Sequence, residues 1–458
     1  MSVYIHYYKV PYTAINYNII SINYNKGRVM NALRIGIAGL GTVGVSTVQV
    51  IEQHKELLAK RAGRPIEIVA VSARSRTLDR GIDISSYRWY DVSAEMADAD
   101  DIDLVIELIG GSDGIAKVLA EKALAAGKHI VTANKALIAH HGTAIAEIAE
   151  KSGAAIYCEA AVAGGIPILK ALREGLAGNQ ISRVYGILNG TCNYILTEMC
   201  DTGRTFDDVL LEAQKLGYAE ADPTFDVDGI DTAHKLAILS AISFGTKVNF
   251  EGIHVEGIRE IAPIDIEFAE ELGFGIKLLG IASKNGDEIE QRVHACMVPI
   301  DAPINQVEGS FNAVVADGDF VDSVLHEGRG AGGGPTASAV IADVIDIARG
   351  HRVPLFGIPA TELEAVPTCG MGHHKGAYYV RFNVVDESGV LADIARALTD
   401  HKVSMESVLQ RSRDPNQIVP VVMTLHETEE AAMRRAVDQI SKIGAVVEPP
   451  VVIRIEEF

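Results

Sequence analysis

Residues 33–38 form a short apolar run that ends in Gly39-Leu40-Gly41-Thr42-Val43-Gly44, and a stretch with helical apolar spacing follows to about Lys60. A strand feeding a glycine-rich turn and then a helix leaves few choices of fold. Gly39 permits the tight turn, Gly41 lets backbone approach a pyrophosphate at the helix N-terminus, and Gly44 allows helix and strand to pack closely. Gly39, Leu40, Gly41, Thr42, Val43 and Gly44 are therefore the candidate dinucleotide-binding residues. A plain βα turn would explain the first and last glycine, but it offers no reason for Gly41.

The pattern continues as alternating strands and helices. Ile66–Ser72, 103–109, His129–Thr132 and 154–159 read as strands, and 115–126 and 142–152 as helices. Short connections between them predict a parallel sheet covered on both faces, a Rossmann-type nucleotide-binding domain over residues 31–165. After Gly164-Gly165 the alternation loosens into an α+β domain over 166–325, and the prolines and glycines of 351–376 read as a linker. The last stretch, 377–458, has the order βαββαβ of a ferredoxin-like unit, with a turn at Asp414-Pro415-Asn416. At 458 residues, several such units are the natural division.

Sixty-one acids stand against 41 bases, a net charge of −20. That surface repels phosphate backbones and anionic lipid, which disfavours nucleic-acid and membrane partners. No apolar run is long enough to span a bilayer. The five cysteines form no CxxC pair and are odd in number, which argues against a disulfide framework and fits a reducing, cytoplasmic setting. Residues 1–29 carry six of the 14 tyrosines and no acid. They read as a disordered leader or an early start before Met30, or else as an arm packing on a partner subunit.

The end of the second strand bears on the cofactor. It reads Val71-Ser72-Ala73-Arg74-Ser75-Arg76, with no acid for a ribose diol. Arg74 is placed to pair with a 2′-phosphate, so NADP(H) is favoured and NAD(H) stays open. Lys135 lies just beyond a strand's carboxyl end, where open α/β sheets bind ligands. Asp231 and Lys235 are spaced i, i+4 on an otherwise apolar helix, so this charged turn borders a cleft. Burial there lowers a lysine's pKa, and the carboxylate opposes the shift and holds the amine.

Five segments occur in order: Thr132-Ala133-Asn134-Lys135; Glu159-Ala160-Ala161-Val162-Ala163-Gly164-Gly165-Ile166-Pro167; Asn189-Gly190-Thr191-Cys192-Asn193-Tyr194; Leu216-Gly217-Tyr218-Ala219-Glu220-Ala221-Asp222-Pro223; and residues 226–235. Together they resemble homoserine dehydrogenase over about residues 31–350, and the C-terminal unit resembles an ACT domain. The combination is similar to the long, feedback-regulated form of that enzyme. The resemblance implies reversible reduction of aspartate 4-semialdehyde to homoserine, on the route to threonine, methionine and isoleucine. It implies Lys235 as proton donor, Asp231 as its orienting partner and Lys135 as a second acid/base group between nicotinamide and substrate. Glu220 would hold the substrate ammonium, with Asp222 and Asp226 lining the same pocket. Glu159 and the carbonyls of Val162, Gly164 and Ile166 would hold a monovalent cation, Na⁺ or K⁺, since one carboxylate suits a weakly held ion. The glycine-rich loop would return the chain, over 326–350, to the nucleotide domain, with Gly332 near the cofactor. Threonine is the implied effector, bound at Asp386-Glu387-Ser388-Gly389 ahead of a helix, in a homodimer or homotetramer.

Two other readings compete. A nucleotide-binding sensor with an ACT domain would need no acid/base lysine. An acylating aldehyde dehydrogenase would need a thiolate, and Cys192 has no histidine near it in sequence; as a packing residue it would be dispensable. The His373-His374 pair reads as solvated.

Overall fold

The computed structural model describes residues 31–411 and 417–458. The leader and the Asp414-Pro415-Asn416 turn lie outside the described residues.

The first sheet contains β1 (Leu33–Ala38), β2 (Ile66–Ser72), β3 (Arg88–Tyr90), β4 (Leu104–Glu107), β5 (His129–Thr132) and β6 (Ile156–Tyr157). All pairings are parallel, in the order β3-β2-β1-β4-β5-β6. The order reverses between β1 and β4, which opens a crevice at their carboxyl ends. Ile35 and Ile37 of β1 are fully buried, each stabilising the fold by about 1.5–3 kcal/mol relative to exposure.

Three elements depart from the sequence reading. β3 is only three residues long, too short to show a period. The helix expected from 142 begins at Lys135, because the Asn134 side chain accepts the Leu137 N–H at 3.1 Å and caps it. The strand expected over 154–159 pairs only at Ile156–Tyr157, and Glu159 opens a tight turn.

The second sheet comprises β7 (Ile181–Ile187), β8 (His254–Val255), β9 (Phe274–Asn285), β10 (Glu288–Pro299), β11 (Phe311–Gly318), β12 (Asp322–Arg329), β13 (Lys375–Val385), β14 (Met405–Leu409), β15 (Ile418–Glu429) and β16 (Val451–Ile455). Its order is β12-β11-β7-β9-β10-β16-β13-β15-β14, with β8 also on β10. Within 377–458 the order β16-β13-β15-β14 is that of a ferredoxin-like sheet, with helices Val390–Asp400 and Glu430–Ile440 against it.

That unit is not set apart from the rest. β16 lies parallel to β10, pairing Cys296 with Arg454 and Met297 with Ile455, so one sheet runs through both. Nor is 351–376 a free linker. Val353 N–H bonds to the Tyr157 hydroxyl at 3.1 Å, Ala360 N–H to the Glu150 carboxylate at 2.9 Å, and Ile289 N–H to the Pro367 carbonyl at 3.0 Å. Leu355 and Phe356 are buried. The prolines shape a packed strap, and composition alone did not show where its neighbours' N–H groups would go. His373 is exposed as expected, but His374 is buried and its Nδ1 lies 2.9 Å from Glu290. The return to the nucleotide domain also starts later than 326. Residues 326–329 belong to β12, and helix Gly333–Arg349 makes the crossing.

Candidate active site

The glycine turn divides its labour as the motif requires. Gly39 has φ 105°, and a Cβ there would strike the Leu108 carbonyl. A Cβ at Gly44 would strike the Gly39 carbonyl, whereas at Gly41 it would meet nothing within 4 Å. Packing explains the outer two glycines. Gly41 faces open space at the N-terminus of helix Thr42–Gln53. Gly332 (φ 113°) caps helix Gly333–Arg349, and Gly333 packs so closely on that first helix that a Cβ would strike Ser46. Arg74 is exposed beyond β2. Arg80, which the sequence did not single out, donates to the Leu40 carbonyl at 3.1 Å and the Ser75 carbonyl at 2.7 Å. It ties the loop after β2 to the glycine turn.

A buried chain of hydrogen bonds sets the far side of the crevice. The Glu107 carboxylate accepts from Ile109 N–H and from the Thr132 hydroxyl, and that hydroxyl accepts from Asn134 N–H. Asn134 in turn caps the helix whose first residue is Lys135. Sequence reasoning missed this chain, since Glu107 looks like an ordinary strand end.

Lys135 points across to the other domain. Its Nζ lies 2.8 Å from Asp231 Oδ1, and Lys235 Nζ lies 2.7 Å from Asp231 Oδ2. Lys235 also donates to the Leu188 carbonyl at 2.6 Å. Asp231 and Lys235 sit on helix Ile230–Phe244, in which even the charged turn is buried. The helix lies close on β9 because Gly280 offers no Cβ to meet Thr232 and Leu236.

The two lysines differ electrostatically. Burial, together with the Lys135 charge, holds the Lys235 ammonium below its usual range, although Asp231 opposes this. Burial also penalises charge on Lys135, but Asp231, Asp226 and Glu220 outweigh it and raise its pKa. For Asp231, burial is outweighed by both lysines, which hold its carboxyl below the carboxylate range. Burial and the Asp231 charge push Asp226 up. Two like groups pushed in opposite directions mark an acid/base site.

Asp226 joins this cluster through Asn189, whose Nδ2 donates to Asp226 Oδ1 and to Asp231 Oδ2, both at 2.8 Å. Asn189 was visible only as part of a motif. Glu220 is exposed and near enough to act on Lys135. Asp222 stands apart: its carboxylate accepts the Thr224 N–H at 3.1 Å in the turn ahead of the short helix Thr224–Val227, whose N-cap is Pro223. Cys192 is buried, burial pushes its thiol well up, and it donates to the Asp226 carbonyl, as a packing residue would.

The homoserine dehydrogenase family model matches residues 167–345, the model for that enzyme's NAD-binding domain matches 39–159, and the ACT domain model matches 378–445. The homoserine dehydrogenase of Neisseria gonorrhoeae is 44% identical over 435 residues, 94% of this chain and 100% of that one. The chain belongs to the homoserine dehydrogenase family. The Pseudomonas aeruginosa homoserine dehydrogenase is 43% identical, again over 94% of this chain and all of its own. The crystal structure of a homoserine dehydrogenase from Thiobacillus denitrificans superposes with a TM-score of 0.88 at 44% identity, covering 93% of this chain and 98% of that chain. A hyperthermophilic archaeal homoserine dehydrogenase in complex with NADPH matches at TM-score 0.60 and 29% identity, over 70% of this chain and 98% of its own. The chain is thus an oxidoreductase with an NAD(P)-binding Rossmann domain, a homoserine dehydrogenase catalytic domain and an ACT domain.

Two further regions complete the picture of this homoserine dehydrogenase. Glu159, Val162, Gly164 and Ile166 lie on one buried turn, in which Ala163 and Gly164 have φ 53° and 47°. The Glu159 carboxylate accepts the Leu169 and Lys170 N–H groups at 2.9 Å, and its own N–H donates to Asp343. Burial and Asp343 nevertheless push Glu159 up to about 8, and burial pushes Asp343 up to about 6. Lys170 pairs with Asp343 at 3.2 Å and offsets part of this charge, and the carboxylate and carbonyl oxygens of the turn are the hard donors a monovalent cation takes.

In the ACT domain, Asp386, Glu387, Gly389 and Val390 line a cavity of about 170 Å³ at the N-terminus of helix Val390–Asp400. Asp386 Oδ2 is buried there without a hydrogen-bond partner. Among the described residues, the three side chains grouped like metal ligands are His294, Cys296 and Glu456. The Arg292 guanidinium already occupies both Glu456 oxygens, at 2.6 and 3.0 Å, and serves as the cation of that cluster. No helix of the described residues is long and apolar enough to cross a membrane.

Proposed function

We propose that this homoserine dehydrogenase reduces L-aspartate 4-semialdehyde reversibly to L-homoserine, on the route to threonine, methionine and isoleucine, with NADPH as preferred reductant and NADH as a possible one. The single observation that carries the catalytic assignment is the Lys135–Asp231–Lys235 triad, with Asp231 and Lys235 buried and Lys135 at the mouth of the crevice. Bound at the glycine turn, the nicotinamide cofactor supplies the hydride for the aldehyde carbon. Lys235, with its lowered affinity for a proton, gives one to the developing alkoxide. Asp231 holds the Lys235 amine and offsets its burial. Lys135 stays charged at the mouth of the crevice, between the two domains, and stabilises negative charge there. Glu220 accepts the substrate ammonium, and Asp226 with Asn189 closes the wall behind Asp231. Asp222 shapes the same loop through its bond to the Thr224 N–H.

The Glu159 turn holds Na⁺ or K⁺ through the Glu159 carboxylate and the carbonyls of Val162, Gly164 and Ile166. The ion offsets the two buried carboxylates and fixes the hinge between the domains.

The ACT domain binds threonine. Helix Val390–Asp400 presents its N-terminus to the carboxylate, and the unpartnered Asp386 oxygen suits the ammonium. Inhibition reaches the active site along a short route. Arg454 of β16 pairs with Glu430 in the ACT domain and with Glu256, both at 2.7 Å. The backbone of 256–258 packs on Val227, Asp228 and Gly229, immediately before Asp231. ACT domains pair side by side, so the enzyme acts as a homodimer or homotetramer.

The test is NADPH oxidation with aspartate 4-semialdehyde, with and without millimolar threonine. Turnover that threonine suppresses is expected. Absence of turnover contradicts the substrate, and turnover indifferent to threonine contradicts the effector.

A further inference from the structure

Helix Lys135–Ser152 carries the outer lysine of the triad, and helix Ile230–Phe244 carries the other two members. The helices meet a second time. His140 Nε2 lies 3.2 Å from His234 Nε2, with the rings edge-on at 5.2 Å between centroids. Neither histidine has a role in the chemistry described above, yet each sits within a few residues of a triad member.

His234 is buried and held between aromatic rings. It stacks on Phe250 at 4.6 Å and meets Phe225 at 5.5 Å, and Lys135 Nζ lies 5.3 Å from the centre of that same Phe225 ring. Burial and the neighbouring His140 lower His234 to about 4, so it is neutral at working pH. Its Nδ1 is buried with no partner. A hydrogen on that nitrogen would be a buried donor with nowhere to go, at a cost of about 1–3 kcal/mol. A bare lone pair there costs less, so the hydrogen belongs on Nε2 and points at His140. His140 is exposed. Its Nε2 is then the acceptor, and its Nδ1–H faces water.

This bond has a particular place along the helix. Further down, Thr143 accepts the Val248 N–H at 3.2 Å and Glu150 accepts the Ala360 N–H. Nearer its start, the helix meets the catalytic domain through the Lys135–Asp231 pair, through Lys135 over the Phe225 ring, and through His140 against His234 and Phe250. His140 lies five residues from Lys135, about 7.5 Å along the axis. Lys135 itself is long and partly exposed, so a fixed contact on the same helix helps hold its reach towards Asp231.

We propose that His140 and His234 form an interdomain clamp, a neutral N–H···N bond that positions Lys135 against Asp231 for turnover. Both are positioning residues, and the essential feature of His140 is an acceptor at its tip. The proposal rests on the reading of Lys135 and Asp231 as active-site groups.

The clamp separates His140→Leu, which keeps bulk but removes the acceptor, from His140→Gln, whose Oε1 can accept from His234. Steady-state kcat and KM for NADPH, with melting curves as a check on folding, give the readout. His140→Leu is expected to lose about tenfold in kcat through misplacement of the reacting groups. KM for NADPH should stay near the parent value, because the glycine turn is untouched, and His140→Gln should retain kcat. Parent-like kcat in His140→Leu, or an equal loss in both variants, overturns the clamp. Lys135→Ala separates the two levels. If it turns over normally, the active-site reading fails and the clamp with it. If it is impaired while His140→Leu is not, only the clamp fails.

Discussion

Arg292 and Glu456 lie 164 residues apart in the chain and meet through two hydrogen bonds, of 2.6 and 3.0 Å, both side chains buried. The pair joins the middle of the catalytic sheet to the last strand of the ACT domain. Arg292 also donates to Glu290, so its loss strands the buried Glu456 carboxylate and leaves Glu290 with His374 alone. Arg292→Met is expected to cost about 3–5 kcal/mol in urea unfolding, and adding Glu456→Leu should recover part of that. A loss below about 1 kcal/mol would contradict the buried bridge. For the same reason, a chain ending before β13 should melt well below the parent, since it leaves the Cys296–Met297 edge of β10 open on the side away from β9.

The three motif glycines should separate by assay. Gly44→Ala forces a Cβ against the Gly39 carbonyl, so it should unfold more readily. Gly41→Ala places its methyl in open space. It should melt like the parent yet raise KM for the nicotinamide cofactor. Matching melting points together with an unchanged cofactor KM for Gly41→Ala would show that the pyrophosphate lies elsewhere.

Some of this was legible in the residues and some was not. Asp231 and Lys235 could be paired because i, i+4 spacing on an apolar helix is a local fact. Gly41 could be picked out because its neighbours accounted for the packing. The Arg292–Glu456 bridge, the burial of His374 and the fusion of β16 to β10 depend on contacts between remote segments, and no periodicity encodes them. Lys135 was placed at the right strand end, but its helix was begun seven residues late. The charged and aromatic residues of the first turns, Lys135, His140 and His141, hide the apolar spacing there.

Arg74 stands exposed beyond β2, and the NADPH proposal assigns it the 2′-phosphate. Arg74→Ala should raise KM for NADPH far more than KM for NADH. Equal changes would exclude it as the reader of the phosphate, and Arg80 would then be the group to substitute.

The Glu159 turn implies a pH signature. Glu159 is raised from 4.5 to about 8 and Asp343 from 3.8 to about 6 in the folded chain. Between the unfolded and folded values the folded state binds more protons, so stability falls as pH rises through that window. In buffer free of Na⁺ and K⁺, the melting temperature should drop between pH 5 and about pH 8. Adding either ion should restore it most at the alkaline end, because a bound cation stabilises the ionised carboxylates. A melting curve equally indifferent to both ions at every pH would exclude the cation.

The catalytic proposal turns on Lys235, buried beside Asp231, as the proton donor. Its most direct measurement is kcat for aspartate 4-semialdehyde reduction by Lys235→Ala, alongside the melting temperature and the affinity for NADPH. The expected result is a folded enzyme that still binds cofactor and turns over roughly 10²-fold or more below the parent. Parent-like turnover in that variant would contradict it.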